Sequence, residues 1–257
     1  MARSEDPTMY LDAFHVSDGD RIRISAAQGS RFAKEVAGDF NPIHNPDAKR
    51  FVVPGDLLFS LVLDRYGLSR RMHFAFTDMV GADVDLLLPD TRAASFEITD
   101  TSGRACLRVT REGPVIEDPR VLEKFARAYV AFSGQTFPHV LVPLMRRHGV
   151  MINPQRPLVI YEGMSLDLHR QDFAAPALTL EGSSLDVIGK RGDVRLKFVI
   201  HAEGEAVGTG EKKLVLSGLR EYDEAQVTAL VDLYADWKRA YRSGDPRGKA
   251  DVESGGG

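Results

Sequence analysis

The densest run of chemistry-bearing residues is Gly38-Asp39-Phe40-Asn41-Pro42-Ile43-His44. Asp39 and His44 stand five residues apart, and Asn41-Pro42 between them specifies a tight turn. A carboxylate and an imidazole held across such a turn can share one water. The carboxylate accepts a proton from it, and the imidazole can give or take one at neutral pH. Asn41 offers an amide donor and a carbonyl acceptor, suited to fixing the turn or orienting Asp39. Pro42 restricts the loop, and Gly38 permits an end-of-helix geometry closed to larger residues. The same residues allow a plainer reading, in which Asp39 only closes an Asx turn and His44 only satisfies a backbone carbonyl. His44-Asn45-Pro46-Asp47 holds oxygen and nitrogen ligands, but with no helical histidine pair and no third ligand it does not make a metal site.

Positioning that run falls to the elements around it. Asp18-Gly19-Asp20 is a turn signal between a short strand expected at Tyr10 to Phe14 and another at Arg21 to Ile24. Ser25 is placed to cap a helix whose apolar stripe is Ala26, Phe32, Ala33 and Val36, and Gly38 ends it. Residues 39–54 carry two prolines and no periodicity, which predicts a structured loop. Pro54-Gly55-Asp56 then opens Leu57-Leu58-Phe59-Ser60-Leu61-Val62-Leu63, apolar on all sides and so expected to be a helix wrapped by a curved sheet. Strand-like runs follow at 72–88, 92–99 and 103–110. A helix followed by closely spaced strands is an α+β pattern, because such strands leave no room for crossover helices.

The order then recurs. Pro119 opens a helix with Leu122, Phe125, Ala126, Tyr129 and Val130 on one face, and a second apolar segment runs over 138–146. Strands are expected at 157–168, 178–188, 194–201 and 206–216, with the Glu211-Lys212-Lys213 stretch read as an exposed strand end. Recurrence of one order predicts duplication, each half burying a face that it would expose alone. The expected divisions are 10–115, 116–218, a C-terminal helix over 219–242 and a flexible tail over 243–257. That helix shows Val227, Leu230, Val231, Tyr234 and Trp237 on one side; its mixed-sign polar face predicts docking on the body, with Trp237 in the docking face.

Composition narrows the function. With 33 basic and 37 acidic side chains the net charge is −4, which argues against a nucleic-acid binder. Cys106 is the single cysteine, so neither an intrachain disulfide nor a cysteine zinc site can form, and its alternating surroundings predict a buried thiol. With neither a signal-type apolar run at the start nor a stretch long enough to span a bilayer, a cytoplasmic location and no membrane partner are the expectation. Dinucleotide, Walker and Gly-x-Ser-x-Gly motifs are lacking, which lowers the standing of nicotinamide, nucleotide and α/β-hydrolase functions.

Gly38 to His44, with Val16-Ser17-Asp18-Gly19-Asp20-Arg21-Ile22-Arg23-Ile24-Ser25 and the intervening helix, resembles the signature of MaoC-like dehydratases and (R)-specific enoyl-CoA hydratases. The resemblance covers residues 16–63 and implies a double hotdog, each half an antiparallel curved sheet around a hydrophobic helix. It implies a hydro-lyase that reversibly hydrates a trans-2-enoyl thioester, with water bound and activated by Asp39 and His44 and ordered by Asn41. Gly55 matches the glycine that opens the family's central helix and whose amide binds the thioester carbonyl. Pro54 stands where that family usually has histidine, and the eleven positions from His44 to Gly55 are fewer than its usual loop. The noncatalytic binding of an acyl thioester or small apolar ligand, and thioester hydrolysis, are the alternatives. An acyl-CoA or acyl-carrier thioester is the implied partner, with coenzyme A present only as part of the substrate and no other cofactor. Lys49 and Arg50 are placed to meet its phosphates. The second half has no Asp-x-Asn-Pro-x-His run, so it is expected to complete the substrate tunnel, with His139 as a structural or lining group. A chain holding both halves is expected to be a monomeric pseudo-dimer or a homo-oligomer.

Overall fold

Ser25 starts the helix that leads to the Asp39 turn. Its hydroxyl accepts the Gln28 N–H at 3.2 Å, and the Gln28 side chain accepts the Ser25 N–H at 3.0 Å, a reciprocal cap that satisfies two otherwise unpaired amides. In the computed structural model, which describes residues 10–244, this helix is α1, Ala26–Phe32, and it widens into a π-helical turn over Ala33–Ala37. Gly38 ends it at φ 66°, a left-handed conformation that a side chain would disfavour. Ahead of α1 lie β1 (Val16–Asp18) and β2 (Arg21–Arg23). Tyr10 to Phe14, expected as a strand, is instead a turn closed by the Phe14 N–H on the Leu11 carbonyl at 2.8 Å, and it buries Leu11 and Phe14. Apolar alternation alone does not separate a strand from a turn that anchors two side chains.

Helix α2, Gly55–Tyr66, follows the loop, and every residue from Asp56 to Leu63 is buried. The strands β3 (Leu68–Phe76), β4 (Asp85–Leu87), β5 (Ser95–Asp100) and β6 (Ala105–Ile116) complete the first half. Helices α3 (Pro119–Gly134), α4 (Thr136–His139) and α5 (Leu141–His148) come next, then β7 (Val150–Met151), β8 (Leu158–Leu168), β9 (Ala177–Ile188), β10 (Arg191–Ala202), β11 (Glu205–Ser217), β12 (Arg220–Glu221) and α6 (Glu224–Ser243). The tail expected over 243–257 lies, from residue 245 on, outside the described residues.

Ten strands form one antiparallel sheet in the order β1-β2-β4-β5-β6-β3-β8-β11-β10-β9, and β7 pairs with β12 apart from it. The centre of that order shows the duplication. β4-β5-β6-β3 in the first half is mirrored by β8-β11-β10-β9 in the second, and the two sets meet where Arg71 to Ala75 of β3 pair with Asp167 to Gly163 of β8. The architecture is an α+β double hotdog, its halves fused edge to edge. The sheet curves over α2 and α3, whose Phe59 and Tyr129 rings pack 4.6 Å apart in a core shared by both halves. The segment expected as the second wrapped helix, 138–146, is split between α4 and α5, and Pro143, Arg146 and Arg147 are exposed. It packs by one face only, Leu141, Leu144 and Met145, against β9 to β11 and α6. In the second half the long buried helix is α3, which carries the fully buried Phe125 and Tyr129.

Candidate active site

The Asp39 turn is built from its own backbone. The Asp39 N–H bonds the Ala33 carbonyl at 2.8 Å, continuing the π-helical turn, and Asp39 Oδ1 accepts the Asn41 N–H at 2.9 Å. That contact is an Asx turn, so one carboxylate oxygen is committed to structure. The other, Oδ2, lies 3.7 Å from His44 Nε2. Asn41 fixes the turn with its side chain: Oδ1 accepts the Ile43 N–H at 3.2 Å and starts the 3-10 turn Pro42–His44. The buried His44 places Nδ1 2.7 Å from the Val52 carbonyl. A carbonyl only accepts, so Nδ1 carries the hydrogen, and in the neutral ring Nε2 presents a lone pair towards Asp39. A separation of 3.7 Å is long for a direct hydrogen bond and short enough for one water to donate to both atoms.

The short loop between His44 and Gly55 is fastened at its end. Val52 N–H bonds the Ile43 carbonyl at 3.0 Å, and Val53 N–H bonds the Val80 carbonyl at 2.8 Å. Asp39, Asn41, His44 and Gly55 consequently line one cavity of about 150 Å³ with mainly apolar walls, roughly ten times the space one water needs. Gly55 is the first residue of α2, and no side chain caps that helix. The first amides of a helix have no partner within it, so this end offers N–H groups and the positive end of the helix dipole. A Cβ on Gly55 would come within 2.7 Å of Tyr161 Cδ1 and 3.3 Å of Phe76 Cε1, so only glycine fits beneath those rings.

Helix α6 holds the turn from outside. Phe40 N–H donates to Tyr234 Oη at 3.0 Å, and that hydroxyl donates to the Gly38 carbonyl at 3.3 Å, bracketing Asp39. Burial drives the Tyr234 hydroxyl well above its ordinary range, which keeps it protonated and able to donate. Trp237, expected only in the docking face, also lines the cavity.

The second half supplies polar groups whose convergence on this site no local sequence pattern shows. Ser133 at the end of α3, Lys212 on β11 and Asp56 in the first turn of α2 are buried side by side at the cavity wall. Ser133 Oγ donates to Asp56 Oδ2 at 2.5 Å and accepts from Lys212 Nζ. Lys212 Nζ sits 3.9 Å from Asp56 Oδ1 and 4.1 Å above the Tyr161 ring, whose hydroxyl meets that of Tyr129. Burial raises the Asp56 carboxyl against the opposing pull of Lys212. Burial likewise lowers the Lys212 amine, opposed by Asp56. Lys212 therefore corrects the expectation of an exposed strand end. It shares one face of the strand with Leu214 and Leu216, both buried, and that period of two was the available signal. Lys49, Arg50, His139 and His148 are exposed, and none lines the cavity. Cys106 is buried, and burial raises its thiol.

The chain belongs to the family described as "Protein of unknown function (DUF3581)", whose model matches residues 9–225. A comparison with curated proteins gave no match. Among solved structures, an acyl-CoA thioesterase II, TesB2, from Mycobacterium marinum is similar at 10% identity and TM-score 0.43, covering 85% of this chain and 99% of its own. A hot dog fold protein of unknown function from Alicyclobacillus acidocaldarius is similar at 11% identity and TM-score 0.45, covering 82% of this chain and 99% of its own. A MaoC-like dehydratase is similar at 10% identity and TM-score 0.40, covering 78% of this chain and 97% of its own. Identities and TM-scores this low carry no activity across to this chain.

Proposed function

We propose that this protein is an enzyme acting on acyl thioesters and that its main reaction is the reversible hydration of a trans-2-enoyl thioester. The observation that supports this reading is the Asp39–His44 pair, 3.7 Å apart and facing one cavity with the uncapped start of α2. Residues 10–115 supply this machinery, and residues 116–218 close the acyl pocket. The thioester carbonyl oxygen accepts from the Gly55 amide, where helix-end polarity stabilises the charge that grows in the enolate. One water donates to Asp39 Oδ2 and His44 Nε2 and attacks the β-carbon as the pair takes its proton. The protonated group then returns a proton to the α-carbon. Asn41 keeps Asp39 Oδ2 free by fixing the turn through which Oδ1 is committed. Lys49 and Arg50, exposed on the loop beside the turn, meet the phosphates of coenzyme A or an acyl carrier.

A second reading, thioester hydrolysis, is favoured by Ser133 and Asp56, which place a hydrogen-bonded hydroxyl beside the carbonyl end of the same pocket. The two reactions separate on one panel. Saturated and trans-2-enoyl coenzyme A thioesters are incubated with the protein while conjugated-enoyl absorbance and free thiol are followed together. Hydration removes absorbance without releasing thiol; hydrolysis releases thiol from saturated substrates as well. Binding of these thioesters with neither change would reduce the cavity to a binding site and reject catalysis.

A further inference from the structure

The cluster of Asp56, Ser133 and Lys212 stands apart from the water-activating turn yet shares its cavity. The three are 8%, 4% and 4% exposed. Burying an ion pair rarely stabilises a fold, since apolar residues of similar volume usually serve as well or better. A lysine, a carboxylate and a serine at the wall of a pocket therefore ask for a chemical role. A hydroxyl bonded to a carboxylate, with a third group holding both, is the arrangement of an activated nucleophile. Here Ser133 Oγ donates to Asp56 Oδ2 at 2.5 Å, and Lys212 contacts Ser133 Oγ and stands 3.9 Å from Asp56 Oδ1. Asp56 follows Gly55, so the hydroxyl lies beside the uncapped turn where a carbonyl oxygen would be held. The end of α3 also abuts the helix that leads into Asp39: a Cβ on Gly134 would fall 1.7 Å from the Ala37 carbonyl oxygen. The serine and the water-activating pair thus line one pocket.

We propose that Ser133 is a nucleophile that takes the acyl group from a thioester, with Asp56 as its base and Lys212 as the cation that positions both. This rests on the thioester reading above and goes beyond it, because the Asp39–His44 pair alone needs no covalent intermediate. Ser133 Oγ bonds the carbonyl carbon as its proton passes to Asp56 Oδ2. The first-turn amides of α2 hold the resulting oxyanion. Its collapse breaks the C–S bond, and the departing thiolate takes the proton from Asp56. Water deprotonated at Asp39 and His44 then attacks the ester, Ser133 Oγ leaves with that proton, and the carboxylic acid is released. The sum is thioester plus water giving acid plus thiol, with no other reactant.

The test mixes the wild-type chain, His44→Ala, Ser133→Ala and Ser133→Cys with saturated and 2-enoyl coenzyme A thioesters, followed by acid quench, intact mass, peptide mapping and parallel thiol assay. The expected result is an acyl mass on the Ser133 peptide, more abundant in His44→Ala because deacylation is slowed. Ser133→Ala should lose the adduct and release thiol at least about 100-fold more slowly. Ser133→Cys should carry an adduct that neutral hydroxylamine removes. The wild-type and His44→Ala adducts need no change at Ser133, so the test stands even if Ser133→Ala fails to fold. Thiol release within a few-fold of wild type in Ser133→Ala, with no adduct in any chain, would overturn the nucleophile and leave the thioester reading intact. Hydration without thiol release or adduct would do the same. Absence of both reactions across the panel would overturn both.

Discussion

Replacing Lys212 with methionine keeps the apolar stem and removes the ammonium from beside Asp56 and Ser133. In the native protein burial raises Asp56 and lowers Lys212, each opposed by its partner. Deleting one member of a buried pair typically costs about 3–5 kcal/mol, because the other charge is left with too little compensation. Protonation of Asp56 limits that cost and makes it depend on pH. Asp56 titrates higher in the folded chain than in the unfolded one, so its contribution is fully present below the unfolded value and is lost as pH rises through the folded one. Removing Lys212 takes away a group that lowers Asp56, so each further unit of elevation costs about 1.4 kcal/mol above it. Loss of the lysine also relieves a cost that is greatest at low pH, where the buried amine must be charged. Both effects have one sign: the penalty of Lys212→Met should grow as pH rises above the ordinary carboxylate range. At roughly 2–4 °C per kcal/mol for a chain of this size, the neutral-pH shift is on the order of 10 °C. Thermal and urea unfolding of the wild type, Lys212→Met, Asp56→Asn and the double variant measures it. The double variant should recover most of the loss. A penalty flat in pH, or single effects that add to the double within about 0.5 kcal/mol, would refute the coupled pair.

Gly55→Ala should lower the unfolding temperature by the equivalent of about 1–3 kcal/mol and depress turnover, since its methyl meets Tyr161 at 2.7 Å; parallel calorimetry and rate assays check both. Gly134→Ala should be worse, about 3 kcal/mol or more by denaturant titration, because the atom it meets at 1.7 Å is the Ala37 backbone oxygen and cannot rotate away. Tyr234→Phe strips the partner from the Phe40 amide and should cost about 1–3 kcal/mol. Faster amide exchange at Phe40, measured by NMR, would report the loosened Asp39 turn.

What was legible in the sequence was local. The Gly38 to His44 turn is held by contacts a few residues apart, such as Asn41 N–H to Asp39 and Ile43 N–H to Asn41, so residue types and spacing specified it. Helix α2 was legible because eight consecutive residues are buried, leaving no polar face to disguise it. The strands β8 to β11 came within a few residues of their positions through alternation and glycine breaks. What stayed hidden depends on contacts across the chain. Ser133 meets Asp56 77 positions away, and Tyr234 meets Phe40 194 positions away. No local pattern marks either partner. The split between α4 and α5 was also missed, because the apolar run over 138–146 does not say which of its faces finds a neighbour. Lys212 was missed for another reason: two neighbouring charges suggested solvent, while the buried Leu214 and Leu216 on the same side of the strand pointed inward.

The central claim is that Asp39 and His44 activate one water against an acyl thioester. The direct measurement is turnover of trans-2-enoyl coenzyme A thioesters of graded chain length by the wild type, Asp39→Asn and His44→Ala, each shown by circular dichroism and thermal unfolding to keep the native fold. Asparagine retains the oxygen that closes the Asx turn, so Asp39→Asn removes the base and spares the turn. Loss of the conjugated absorbance by the wild type, slowed at least about 100-fold in each variant, is the predicted result. Turnover unchanged in both variants would contradict the account.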